Sequence, residues 1–368
     1  MGKAAKEHLS RVLNSHLNNI HETLQILNQT PAASLEKVSW DEVIQMGGQV
    51  AKQATVAGVL WTGKAPNVKE LEENMGVYFN MLQGFLLLAH GSIVGAGPTL
   101  CSSVHASAQK VVNCSFSLMK EAVSSYGSHS KDGKLSIPHL AGTVWDACDA
   151  LKKTPTTNYT AIGRAITQVA VSVKDVLREM KELKPGSAEP NDEMHNEAAV
   201  DAEDVPDSHE SSSEGELGND LSPDEMKIAQ LAIDVVSDKL IVLKELIRFI
   251  SDLLKQLNSN KSSHSVDSLE RLLKICQGIG VQVDELGACL YPPQEVPALK
   301  TAAEKISVGI NELKAEVSCF IEPSEGLLQA CEGLDSSVRM LESKLGSSTA
   351  DTTDLQSKMQ SVALTPKN

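Results

Sequence analysis

The chain has 368 residues, with 33 Lys and Arg against 48 Asp and Glu, and a formal net charge of -15. Hydrophobic residues make up 41%, enough for a sizeable core, but aromatics only 3%, so Leu, Val, Ile and Ala must build that core. The acidic balance and the few stacking surfaces argue against direct nucleic-acid binding, which needs cations for the phosphates and rings for the bases.

The opening, Met1-Gly2-Lys3-Ala4-Ala5-Lys6, leads into a mixed polar helix pattern without signal-peptide form. The longest apolar run, around Phe85 to Val94, is broken by His90 and Gly91 and is too short to span a bilayer, so no membrane insertion is expected. The seven cysteines are dispersed with no C-x-x-C pair, which predicts reduced thiols in an intracellular protein.

In chain order, Leu9, Val12, Leu13, His16, Leu17, Ile20, Leu24 and Leu27 recur mostly at steps of three and four, one face of a helix. Ser39-Trp40-Asp41-Glu42 has the form of a capping box and predicts a helix to about Gly63. Further helices are predicted over Val68 to Val94, Pro98 to Ser125, Pro138 to Lys153 and Asn158 to Leu183, with Pro98 and Pro138 as first helical residues. From Gly186 to Asp220 there are 12 Asp or Glu and no Lys or Arg, which leaves the rest of the chain near -3. Such a stretch has too little to bury and is expected to be a disordered linker over 185–221.

Ser222-Pro223-Asp224-Glu225 is a second capping-box form. It opens a stripe through Ile228, Leu231, Val235, Val236, Leu240, Leu243, Ile247, Ile250, Leu254 and Leu257. Helices follow over Val266 to Tyr291, Val296 to Phe320 and Pro323 to Leu345, and the Ser/Thr-rich residues 346–368 are expected to be a loose tail. No stretch shows strand alternation. The expected fold is all-α: antiparallel helical bundles over 1–184 and 222–345, joined by the acidic linker.

No catalytic constellation assembles. Gly95-Ala96-Gly97 and Gly278-Ile279-Gly280 lack the third glycine and the preceding strand of a nucleotide fingerprint. Gly58 to Lys64 approaches a phosphate loop, but Ala65 stands where a magnesium-binding hydroxyl belongs. The ten His are scattered, so no enzyme, cofactor, metal or small-molecule substrate is expected.

Two features point to binding. Leu140, Val144, Cys148 and Leu151 form one apolar stripe. After the loop Thr154 to Thr157, Ile162, Ile166, Val169, Val173, Val176 and Met180 step 4-3-4-3-4. This helix–loop–helix over 138–183 offers a seam to a partner helix or packs it inside its own bundle. Just upstream, where a DNA-binding version would carry a dense basic helix, there are only Lys131 and Lys134, so a dimer formed through the seam would sequester a transcription factor instead of placing it on DNA. Ser211 and Ser213, each with Glu three residues on, and Ser222 before Pro223 are candidate phosphorylation sites; Thr365-Pro366 is a weaker one. Arg271-Leu272-Leu273 resembles a cyclin-docking triplet but lies on a helix face expected to be buried.

Three features together resemble the cyclin-D-binding protein family, also called GCIP-like. They are Val144-Trp145-Asp146-Ala147-Cys148 leading to Asp175-Val176-Leu177-Arg178-Glu179-Met180, the acidic stretch that follows, and Val281-Gln282-Val283-Asp284-Glu285-Leu286 running to Leu290-Tyr291-Pro292-Pro293. The resemblance implies a non-enzymatic regulator, present in cytoplasm and nucleus, that binds D-type cyclins and helix–loop–helix proteins and restrains cell-cycle progression. It also implies bundles of the talin and vinculin kind. The alternative is a helical scaffold that binds cytoskeleton or membrane through a bundle face.

Overall fold

The computed structural model describes residues 2–27, 29, 31, 35–63, 67–127, 131–185, 220–258, 265–320 and 324–362. Among these the chain is all-α, with one two-residue parallel bridge, β1 (Lys184–Pro185) with β2 (Asp220–Leu221). The helices are α1 (Gly2–Leu27), α2 (Trp40–Thr62), α3 (Val68–Ser92), α4 (Pro98–Ser125), α5 (Lys131–Ala150), α6 (Asn158–Lys181), α7 (Pro223–Asn258), α8 (Val266–Ala288), α9 (Val296–Ser318) and α10 (Glu325–Val362). A 3₁₀ turn, Leu151–Lys153, follows α5.

Two helices differ from expectation. α5 begins seven residues before Pro138, which sits inside it. The early turns carry Ile137 into the core, and that burial offsets the hydrogen bond that proline forgoes. α10 runs past Gly346 to Val362, where a loose tail was expected. Between Ser347 and Thr365 there is no Gly or Pro, and Ser and Thr each lower helix propensity by only about half a kcal/mol.

The chain forms two compact units, Met1–Ala165 with Ser263–Glu270, and Ile166–Ser262 with Arg271–Asn368. Composition places the boundary at 184; the division instead falls inside α6. The acidic residues 186–219 lie outside the described residues.

In the first unit α2 packs on α3 and α5, α4 on α5, and α1 on α3 and α4. The α1–α3 pair is parallel: His8 meets Glu72 at 2.9 Å and His16 stacks on Phe79 at 5.0 Å. α2 and α5 are antiparallel, with Trp40 Nε1 donating to the Leu151 carbonyl and Trp145 Nε1 to that of Ala51. Tyr78, Phe79 and Phe85 are buried at the centre, and the Tyr78 hydroxyl donates to Ser115 Oγ at 2.9 Å.

The expected capping box starts α2: Ser39 Oγ accepts from Asp41 N–H, and Ser39 N–H donates to Glu42 Oε1. α4 starts at Gly97 without a side-chain cap of its own. Glu270 supplies one, accepting from Thr99 N–H at 2.9 Å and Thr99 Oγ1 at 2.7 Å. A Cβ at position 97 would meet the Glu270 carboxylate at 2.6 Å, so this close approach requires Gly97. Gly95 has φ +73°, the left-handed region glycine favours. The two glycines thus serve a turn and a cap.

In the second unit α7 packs on α10 and α10 on α9. α7 and α10 are antiparallel: Asp224 pairs with Lys344 near one end, and the Ser337 hydroxyl donates to Asp238 further along. α8 and α9 are antiparallel too, from Arg271 at Glu316 to Ile279 against Gly309. The Ile166–Lys181 part of α6 lies along α8, where a Cβ at Gly280 would meet Val169 at 3.3 Å and one at Gly287 would meet Val176 at 2.9 Å. These two glycines, seven residues apart, give one face of α8 the depth to take the α6 valines. That packing is the physical reason most of α6 belongs to the second unit.

Candidate functional site

The α5 stripe is committed to the first unit. Val144, Cys148 and Leu151 are buried and Leu140 is half-buried against the core. Leu151 reaches α2, where a Cβ at Gly47 would meet it at 2.6 Å.

The α6 seam is largely enclosed as well. Ile162, Ile166, Val173 and Met180 are buried, and Val169 and Val176 are half-buried over α8. The helix–loop–helix segment is therefore no separate module, because its first helix packs in one unit and most of its second in the other. In this conformation the seam serves the chain's own packing. The loop ends as expected: Thr157 and Thr160 exchange bonds between hydroxyl and backbone N–H at 3.1 Å, a cap for α6.

Ser222 is exposed and caps α7. Its Oγ accepts from Glu225 N–H at 3.3 Å, and its N–H donates to Glu225 Oε2 at 2.9 Å. The bond with Ser222 holds the Glu225 carboxyl below the usual range. Ser211, Ser213, Thr365 and Pro366 lie outside the described residues. The segment resembling a phosphate loop is the end of α2 through Thr62, and Lys64 and Ala65 are outside the described residues. Leu272 and Leu273 are buried as expected, while Arg271 holds Glu316 through two bonds, at 2.8 and 3.0 Å.

Sequence reading missed an open groove on the second unit between α8 and α9, of about 680 Å³. Ile275, Gly278 and Ile279 line it from α8, and Val308, Gly309 and Ala315 from α9. Val308 is 58% exposed, and a Cβ at Gly278 would meet nothing within 4 Å. The Arg271–Glu316 pair closes one end and Gln282 and Lys305 stand at the other, with Lys274 and Glu312 on opposite rims. The signal in the sequence was the set Arg271, Lys274, Ile275, Gly278 and Gln282, one helix face that pairs small and apolar residues with a basic edge.

Among the described residues no three His, Cys, Asp or Glu side chains converge to hold a metal ion, and no helix is long and apolar enough to cross a membrane. What the two units present is helical surface. Residues 42–186 match the family model described as Grap2 and cyclin-D-interacting, N-terminal, and residues 201–315 match its C-terminal counterpart. The chain belongs to the Grap2 and cyclin-D-interacting family. The first match takes in almost all of α2 through α6, and the second α7, α8 and most of α9. The α6–α8 contact and most of the groove therefore fall within the family regions. The chain is also similar to a cyclin-D1-binding protein 1 homolog of Xenopus laevis, 23% identical over 174 residues. That alignment covers 47% of this chain and 48% of the relative, so the chain spans about half the length of the relative it matches.

Proposed function

We propose that the chain is a non-enzymatic interaction protein that binds D-type cyclins and restrains cell-cycle progression. The observation that carries this is the match to both regions of a family described as cyclin-D-interacting, supported by the similarity to a cyclin-D1-binding homolog. Surfaces made of packed helices, without a converging set of reactive side chains, suit such a role. The working compartments under this reading are cytoplasm and nucleus, where D-type cyclins would be met. Helix–loop–helix proteins would have to draw Val169 and Val176 away from α8 and uncover the buried Val173 before using the seam, so cyclin is the partner assigned to the closed chain.

The test is titration of purified D-type cyclin against the full chain, followed by calorimetry and pull-down. Saturable binding is expected, and no binding removes the cyclin assignment. Phosphorylation of Ser211, Ser213 or Ser222 belongs to the same reading as a tuning step. Its check is mass spectrometry of the chain from dividing and arrested cells, with occupancy expected to change between them.

A further inference from the structure

We infer that the α8–α9 groove is a docking site for an amphipathic helix of a partner protein, whose apolar ridge fills the groove and whose flank carries carboxylates against Lys274 and Lys305. This rests on the reading of the chain as a binding protein, not on cyclin as the partner.

The second unit already shows how it takes an added helix. On one face of α8, Gly280 and Gly287 receive the valines of α6. Gly278, two residues from Gly280, lies about 200° around the same helix, so it faces the other way. That second face has the same construction, a glycine floor between apolar side chains, and the space above it is empty.

The dimensions fit a helix. From Arg271 to Gln282 the groove runs about 17 Å, or three turns, long enough for anchors at i, i+3 or i+4, and i+7. It is open, and its exposed lining is mostly carbon, which suits an apolar helix ridge.

The rims select the flank. Arg271 is neutralised by Glu316, while Lys274 and Lys305 have no ion-pair partner among the described residues. They stand on opposite rims about 12 Å apart along the axis. An occupant with carboxylates at both places is favoured, and Glu312 disfavours one that is acidic throughout. The mixed rim also disfavours an anionic lipid surface, which would meet Glu312 and Glu316 together with the lysines.

The experiment uses the full chain and two labelled 18-residue synthetic helices with the same leucine ridge, one flanked by Glu and one by Lys. The Glu-flanked helix is expected to bind saturably and at least tenfold more tightly than the Lys-flanked one. Gly278→Leu puts a side chain into the empty space and removes a glycine from a helix interior. It should weaken binding at least tenfold while the melting temperature holds or rises. Val308→Glu, at an exposed position, should weaken binding as well. Lys274→Glu with Lys305→Glu should reverse the preference between the two helices. Binding should also slow alkylation of Cys319, an exposed thiol at the groove's end.

Absence of saturable binding, equal affinity for both helices, or indifference to Gly278→Leu overturns the inference. So does a dimer of the free chain that Gly278→Leu dissociates, which would make the groove a contact between copies. Cyclin titration is a separate measurement, so a failure there leaves these results to stand or fall alone.

Discussion

The side chain of Lys239 lies on α7 with 0% of its surface exposed, and its Nζ has no hydrogen-bond partner. Cys276 of α8 and Cys331 of α10 face it, and burial pushes the Cys331 thiol up to about 11. Burial lowers the Lys239 pKa, so the amine loses its proton more readily in the folded chain than in the unfolded one. Between the folded value and the ordinary 10.5 the unfolded chain binds more protons, so this residue's contribution rises with pH across that window. Lys239→Met removes the penalty and should stabilise the second unit by about 1–3 kcal/mol near neutrality. The advantage over the natural chain should shrink as pH rises towards 10.5, read from urea midpoints of both proteins at each pH. A constant difference would contradict a lowered Lys239 pKa. The position was legible in the sequence, since 239 is four residues from both Val235 and Leu243 and so falls on the α7 stripe. The burial of its end was not, because lysine ordinarily carries its charge out to water from such a place.

Helix starts were the most legible elements. Ser39 and Ser222 each announce a cap that the structure builds, because the Ser and Glu of a capping box act over three residues and need no distant partner. Ser222→Ala should therefore cost about 1 kcal/mol in the denaturant midpoint of the second unit, and Ser222→Asp, itself a good cap, much less. The cap of α4 was illegible, since Glu270 lies 171 residues from Thr99. The α6 seam shows the same limit. Its spacing marked a buried stripe but did not say against what, because a seam for a partner and one for α8 have the same period. Val173→Asp places a carboxylate in that buried stripe and should cost about 3 kcal/mol or more. Val171→Asp, on the exposed side of α6, should change stability by about 0.5 kcal/mol or less. If both variants melt like the natural chain, the seam is not packed.

For the whole molecule, charge and packing divide the chain at different places. The window from Gly186 to Asp220 carries nearly all of the net charge, yet the division between units runs through α6, some twenty residues earlier. The 4-3-4-3-4 spacing continues unchanged across Ala165 and Ile166, so nothing local marks where α6 changes its packing partners. A cut within 186–219 therefore does not separate the two units. The N-terminal piece keeps the Ile166–Lys181 helix of the second unit, and the C-terminal piece keeps Glu270, which caps α4 of the first. Limited proteolysis in that window should leave two pieces that co-elute on gel filtration under native conditions and part only in denaturant. Residues 220–368 made alone should melt at a lower temperature than the second unit of the whole chain, because Gly280 and Gly287 lose the valines that cover them. Adding back the N-terminal piece should restore the difference. Two pieces that part without denaturant, each melting as it does in the intact chain, would show that composition, not the α6–α8 contact, sets the working boundary.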